Sequence, residues 1–162
     1  MKAAIVTGLF AGILSIGPSA FAQVAVTPAA DQSALLVSAD PQLAQNKRLV
    51  YDFWREVLEG GHLDLAEKYL SEGYIQHNPG VATGRAGFVE FFSKFTKPKD
   101  IQPQIAASVV SITAEGDLVT LAIVRTLPDP KNPTAAYTTT WFDMFRVADG
   151  KIVEHWDSAV KD

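Results

Sequence analysis

The sequence predicts one α+β domain, with three helices in its first half packed on a strongly curved, mainly antiparallel sheet in its second. Three observations predict it. Apolar residues recur at helical spacing from Leu43 to Leu58 and again from Phe88 to Phe95, while four runs after residue 100 are rich in β-branched and aromatic residues. Glycine and proline fall in the gaps between those runs. The chain has 162 residues, 48% hydrophobic and 20% charged, which suits one core and excludes a disordered or fibrous class.

The elements follow in order. Residues 1–22 read as a signal peptide: Lys2 is followed by an apolar run too short to span a bilayer comfortably, and Ala20-Phe21-Ala22 fits the small-x-small rule before Gln23. The alternative is a retained membrane anchor, and the well-formed cleavage site favours a periplasmic or secreted protein. Residues 23–39 are weakly patterned and read as a flexible lead with one helical turn at "SALLV". The domain proper, 40–162, opens at Asp40-Pro41, an N-cap followed by proline at the first helical position. That helix carries Val50, Phe53, Trp54, Val57 and Leu58 until Gly60-Gly61 stops it. A short second helix fits "HLDLAEKYL". "SEGYIQHNPGVATG" reads as irregular, and a third helix from about Thr83 carries Phe88, Phe91, Phe92 and Phe95. Four antiparallel strands complete the domain at "QIAASVVSIT", "DLVTLAIVRT", "AYTTTWFDMFRV" and "KIVEHWDSA". "EGD" and "ADG" are tight turns, and "LPDPKNP" is a longer loop stiffened by proline. A bent sheet over helices leaves a cone with a mouth, where a pocket belongs.

Composition excludes several chemistries. A net charge of −4 gives no footprint for nucleic acid, and no basic run suggests an anionic membrane. With no cysteine, disulfides, thiolate nucleophiles and cysteine metal sites are ruled out. No nucleotide loop, nucleophile elbow or zinc helix motif is present.

The last hairpin brings polar residues together. Read as a three-residue loop with a bulge at Gly150, "VADGK" sets Phe145 opposite Val153 and Asp143 opposite His155. Alternation then places Trp141, Asp143, His155 and Asp157 on one face. A two-residue loop would move Asp143 to the other face and break the set. His155 and Asp157 stay together either way, roughly 7 Å apart at Cα. Two carboxylates and an imidazole on an apolar face are costly unless paired or used, and a carboxylate beside a histidine can act as a general base. The competing reading is an exposed strand end with surface hydrogen bonds. Tyr51 and Trp54 on the first helix read first as core, and as substrate contacts if that helix faces the cavity.

"YIQHNPGVATGRAGFVEFF" followed by "FDMFRVADGKIVEHWD" resembles the SnoaL-like proteins, polyketide cyclases or aldol-condensation enzymes of the nuclear-transport-factor-2-like superfamily of cone-shaped domains. The likeness spans about Gln45 to Asp157. The fold hosts many reactions, so it implies architecture more than chemistry. It implies Asp157 as general acid/base, faced by Asp143 where the cyclases carry a histidine. It also implies that "YIQHNP" lines the mouth, with His77 pointing in and Asn78 and Pro79 holding the turn. An epoxide-hydrolase-like Asp-Arg-Asp set would need Arg125. The resemblance further implies a homodimer through the outer sheet face, at Phe142 and Met144.

Three functional expectations follow. The first is cofactor-independent proton abstraction next to a carbonyl, followed by aldol-type cyclisation or isomerisation of a small hydrophobic substrate. Asp157, Asp143, His155 and His77 are its catalytic candidates, and Trp54, Tyr51, Asn78, Trp141 and Phe145 its substrate contacts. The second is a periplasmic protein that binds a small molecule without turnover. The third makes His77, His155 and Asp157 metal ligands. The resemblance implies no metal and no cofactor, so that reading ranks last. The expected partner is a small hydrophobic molecule, with neither nucleic acid nor, in the mature form, a membrane.

Overall fold

The computed structural model of the protein describes residues 23–161, so the expected signal peptide lies outside the described residues. Helix α1, Pro41–Phe53, begins as its sequence dictates. Asp40 Oδ1 accepts from the backbone N–H groups of Gln42 (2.7 Å) and Leu43 (3.4 Å), and Pro41 occupies a position that needs no N–H. The chain continues as a π-helix, Trp54–Glu59, whose wider turn buries Val57 while Trp54, Leu58 and Glu59 line a cavity. Gly61 ends it: φ is +74°, and a Cβ there would stand 2.4 Å from the Lys97 carbonyl oxygen. The short α2, Ala66–Tyr69, and α3, Arg85–Ser93, are the other two α-helices among the described residues.

The strands are β1 (Leu70–Gln76), β2 (Val109–Glu115), β3 (Leu118–Asp129), β4 (Asn132–Ala148) and β5 (Lys151–Asp157). They form one sheet in the order β1-β5-β4-β3-β2. Strand β1 is parallel to β5 and every other neighbour is antiparallel. Val50, Phe53 and Val57 pack with Leu121, Phe145, Val147 and Ile152 to form the core between α1 and the inner sheet face.

Three expectations are corrected. Strand β1 covers the end of the stretch read as the second helix, at Leu70, and the first part of the stretch read as irregular. Gly73 and the polar "SEG" hide its alternation, and the strand is held by long-range contacts, pairing with β5 and burial of Leu70 and Tyr74 in the core. "LPDPKNP" is no long loop: β3 and β4 stay paired to Asp129↔Asn132, and only Pro130 and Lys131 turn. Neither β2 nor β5 pairs with this part of the hairpin, so prolines missing an N–H are tolerated at its outer edges. The lead is tied down as well. Val26 N–H donates to Thr138 Oγ1 (2.8 Å), Ala29 N–H donates to Val109 O (2.8 Å), and Leu36 enters the core from the 3₁₀ turn Ala34–Leu36.

A polar cluster links the π-helix to α2. Tyr69 Oη–H donates to Glu56 Oε2, as does Lys68 Nζ (3.0 Å), and Arg55 Nη2 donates to Glu56 Oε1 (2.7 Å). Burial opposes the Glu56 charge, but the hydrogen bonds from Tyr69 and Lys68 and the two neighbouring cations outweigh it, so its pKa lies below the ordinary value. Burial and the bond to Glu56 push the Tyr69 hydroxyl up to about 12.

Candidate active site

The end of the hairpin decides which side chains meet. Asp149 and Gly150 both have positive φ (50° and 70°), a two-residue loop with Ala148 opposite Lys151. That is the shorter loop that should have broken the set. It does not, because the register shifts once more at Val153: Val147 pairs with Ile152, but Arg146 pairs with Glu154. This bulge in β5 restores the parity. Phe145 therefore stands opposite His155, not Val153, and Asp143 stands opposite Asp157, not His155. The expected face is retained for Asp143, His155 and Asp157 by a different device.

Strand β1 supplies the rest. Gln76 pairs with His155, so the two side chains share the inner face. Period-two alternation then turns Tyr74, Gln76 and Asn78 inward and Ile75 and His77 outward. His77 is accordingly absent from the cavity. Its side chain is 44% exposed, its ring stacks on Trp156 of the outer face (centroids 5.1 Å apart), and its Nε2 lies 2.8 Å from Glu154 Oε1.

The cavity measures about 300 Å³, at the small end for ligand sites. Phe53, Trp54, Leu58, Phe88, Phe92 and Phe145 give it apolar walls, and Asp143, His155, Asp157, Tyr74, Gln76 and Asn78 form its polar floor. Trp54, Asn78 and Phe145 thus sit where substrate contacts were expected. Two expected contacts do not. Tyr51 is buried in the core, where its hydroxyl donates to Gln32 Oε1 (2.7 Å) and accepts from Ile105 N–H (3.2 Å). Trp141 lies beyond the cavity wall, its ring beneath the Arg125 guanidinium (4.7 Å). Exposed Arg125 does not line the cavity either, so no Asp-Arg-Asp set is assembled.

The floor is a connected network. Asp143 and His155 are only 5% and 7% exposed. His155 Nε2 lies 3.0 Å from Asp143 Oδ1, and its Nδ1 lies 2.8 Å from Gln76 Oε1. Gln76 Oε1 also accepts from Asn78 N–H (2.9 Å), and Gln76 Nε2 donates to the Tyr74 hydroxyl (3.1 Å). Asn78 Nδ2 donates to Asp157 Oδ2 (2.6 Å), and Ala159 N–H donates to Asp157 Oδ1 (2.9 Å). Asp143 Oδ2 is buried and has no hydrogen-bond partner among the described residues. Burial, and then the charges of Asp143 and Asp157, hold the Tyr74 pKa far above that of an ordinary phenol, so Tyr74 keeps its proton.

Sequence reasoning missed Gln76, Tyr74 and the α3 phenylalanines. Alternation across "YIQHN" was the available signal for the first two. For Phe88 and Phe92, helical spacing marks an apolar face but does not say whether it meets side chains or an empty cavity.

Among the described residues, the set that could hold a metal differs from the one expected. Asp143, His155 and Asp157 each offer a ligand atom within 4.8 Å of the others, and His77 takes no part. Binding through His155 Nε2 would give up its bond to Asp143.

Comparison with known proteins agrees with this architecture. The SnoaL-like domain family matches residues 50–155. An LEH-like epoxide hydrolase from M. tuberculosis superposes with a TM-score of 0.50 at 17% identity, covering 72% of this chain and 84% of that one. A protein of unknown function with a cystatin-like fold from Xanthomonas campestris gives 0.50 at 18% identity, covering 72% and 91%. A candidate polyketide cyclase from Acidithiobacillus ferrooxidans gives 0.49 at 19%, covering 75% and 89%. No curated protein matches the chain.

Proposed function

The chain belongs to the SnoaL-like domain family, and on that premise we propose that its cavity performs cofactor-independent acid/base chemistry on a small apolar carbonyl compound. The observation that carries the reading is Asp143, which lines a largely apolar cavity and whose Oδ2 is buried with no hydrogen-bond partner among the described residues. Such an atom is costly to keep unless something arrives to use it. Both oxygens of Asp157, the base implied by the resemblance, already accept a hydrogen bond. The geometry therefore favours Asp143 as base and Asp157 as a fixed second carboxylate.

The step is a proton abstraction. Asp143 Oδ2 takes the proton from the carbon next to the carbonyl, the C–H electron pair becomes the enolate double bond, and the carbonyl π pair moves onto oxygen. Tyr74 accepts from Gln76, which leaves its own O–H to donate to that oxygen. In a β,γ-unsaturated substrate the double bond shifts into conjugation as the carbonyl re-forms, and the proton returns to the γ-carbon, an isomerisation. Alternatively, the enolate carbon attacks a second carbonyl of the same molecule and the new alkoxide takes the proton, an aldol cyclisation.

The test needs no knowledge of the natural substrate. A panel of small aryl ketones and 1,3-diketones in D2O, followed by NMR, should show protein-dependent deuterium uptake at the α-carbon of at least one member. Saturable binding without exchange across the panel would replace this reading with that of a small-molecule-binding protein.

A further inference from the structure

The hydrogen bonds of the cavity floor dictate where its protons sit. The backbone N–H of Asn78 can only donate, so the Gln76 atom facing it must be the carbonyl Oε1, and the amide cannot be turned over. That oxygen also faces His155 Nδ1 at 2.8 Å. An acceptor on one side requires a donor on the other, so Nδ1 carries a hydrogen. His155 Nε2 is then left facing Asp143 Oδ1 at 3.0 Å. Two bare lone pairs do not approach so closely in a buried site, so one proton lies between them, on the imidazolium or on the carboxyl.

We propose that Gln76 is a positioning residue that fixes His155 in the Nδ1–H form and thereby makes the Asp143–His155 pair hold one proton between Nε2 and Oδ1, leaving Asp143 Oδ2 outside that bond. The proposal rests on the acid/base reading for the purpose of this arrangement, but not for its existence. Gln76 touches no reacting atom in it. Strand β1 brings Gln76 beside His155 through the parallel pairing with β5, and the turn at Asn78 locks the amide. If Gln76 offered no acceptor, the imidazole could carry its single proton on Nε2. Donating to Asp143 Oδ1 would then need no further proton, and the pair would lose one. Which ring nitrogen of a histidine is protonated is commonly set in this way, by the partner of the other nitrogen.

The experiment is long-range ¹H–¹⁵N NMR of the imidazole rings in the full chain. The sequence has three histidines, so His155 is assigned by the signals missing in His155→Gln. The wild type should show Nδ1 protonated at neutral pH. A bare Nδ1 with hydrogen on Nε2 alone would overturn the proposal, whatever the variants do. Gln76→Met, of similar length and without a strong acceptor, should shift His155 to the Nε2–H form, while Gln76→Glu should keep the Nδ1–H form. An unchanged Nδ1–H in a folded Gln76→Met would also overturn it. Should Gln76→Met fail to fold, the wild type and Gln76→Glu decide. The α-deuterium exchange rate should fall about 10–100-fold in Gln76→Met, the scale on which partners that fix a functional histidine's ring usually act. An Nδ1–H form with no exchange on any ketone would sink the acid/base reading alone. A freely changing tautomer with full exchange would sink this proposal alone.

Discussion

Replacing Asp143 by asparagine should make the protein less active and more stable. Asp143 is 5% exposed, stands directly opposite Asp157 and leaves one carboxylate oxygen without a partner among the described residues. In Asp143→Asn, the Nδ2–H of the new amide can donate to a neutral His155 Nε2, so the contact survives without charge. Two terms set the sign. Exchanging a charged hydrogen bond for a neutral one loses about 1 kcal/mol. Relieving an unpaired buried anion recovers roughly 1–3 kcal/mol, and the opposition of two carboxylates disappears as well. The net expectation is a gain of about 1 kcal/mol, or about 3 °C in Tm for a domain of this size. Calorimetry at neutral pH measures it. Were the pair instead a net stabilising buried ion pair, removing one charge would cost about 3–5 kcal/mol, a fall near 10 °C. A fall of that size would refute the reasoning.

Three other expectations can be checked on purified protein. The Glu56 pKa is lowered on folding, so its stabilisation is complete above the ordinary value of 4.5 and is lost as pH falls through the folded value. The Tm gap between wild type and Glu56→Gln should thus be present at neutral pH and shrink on acidification, and a constant gap would show that the carboxylate charge is not responsible. If the floor holds a proton, EDTA should leave Tm unchanged, whereas one metal ion per chain in elemental analysis would make Asp143, His155 and Asp157 ligands. The homodimer stands as a proposal on the outer sheet face, where Phe142 is 50% exposed. Light scattering should give twice the chain mass for wild type and a monomer for Phe142→Asp, and a monomeric wild type would end it.

The legible parts of the fold were those with local causes. Asp40-Pro41 starts α1 because both residues act within the first helical turn, and the Gly60-Gly61 stop is equally local. Strand β1 was not legible, since what holds it, pairing with β5 and core packing of Leu70 and Tyr74, lies far away in the sequence. The error at His77 follows from that omission: with Leu70–Gln76 read as a strand, alternation would have turned His77 outward and Gln76 inward. The clustering of Asp143, His155 and Asp157 was anticipated for an incorrect reason, because the compensating bulge at Val153 has no glycine or proline to announce it. Phe88 and Phe92 expose the limit of hydrophobic spacing, which cannot distinguish a filled core from a cavity. The lack of a partner for Asp143 Oδ2 among the described residues, on which the proposed function turns, is a property of three-dimensional surroundings alone.

The most direct measurement compares α-deuterium exchange in three variants, on whichever ketone the wild type exchanges. With Asp143 as base, Asp143→Asn should lose on the order of 10²–10⁴-fold in rate, the usual contribution of a general base. Asp157→Asn should lose less, because its amide can still accept from Ala159 N–H. His77→Ala should match the wild type, because His77 lies on Trp156 outside the cavity. Asp143→Asn at the wild-type rate, with Asp157→Asn inactive, would contradict the account.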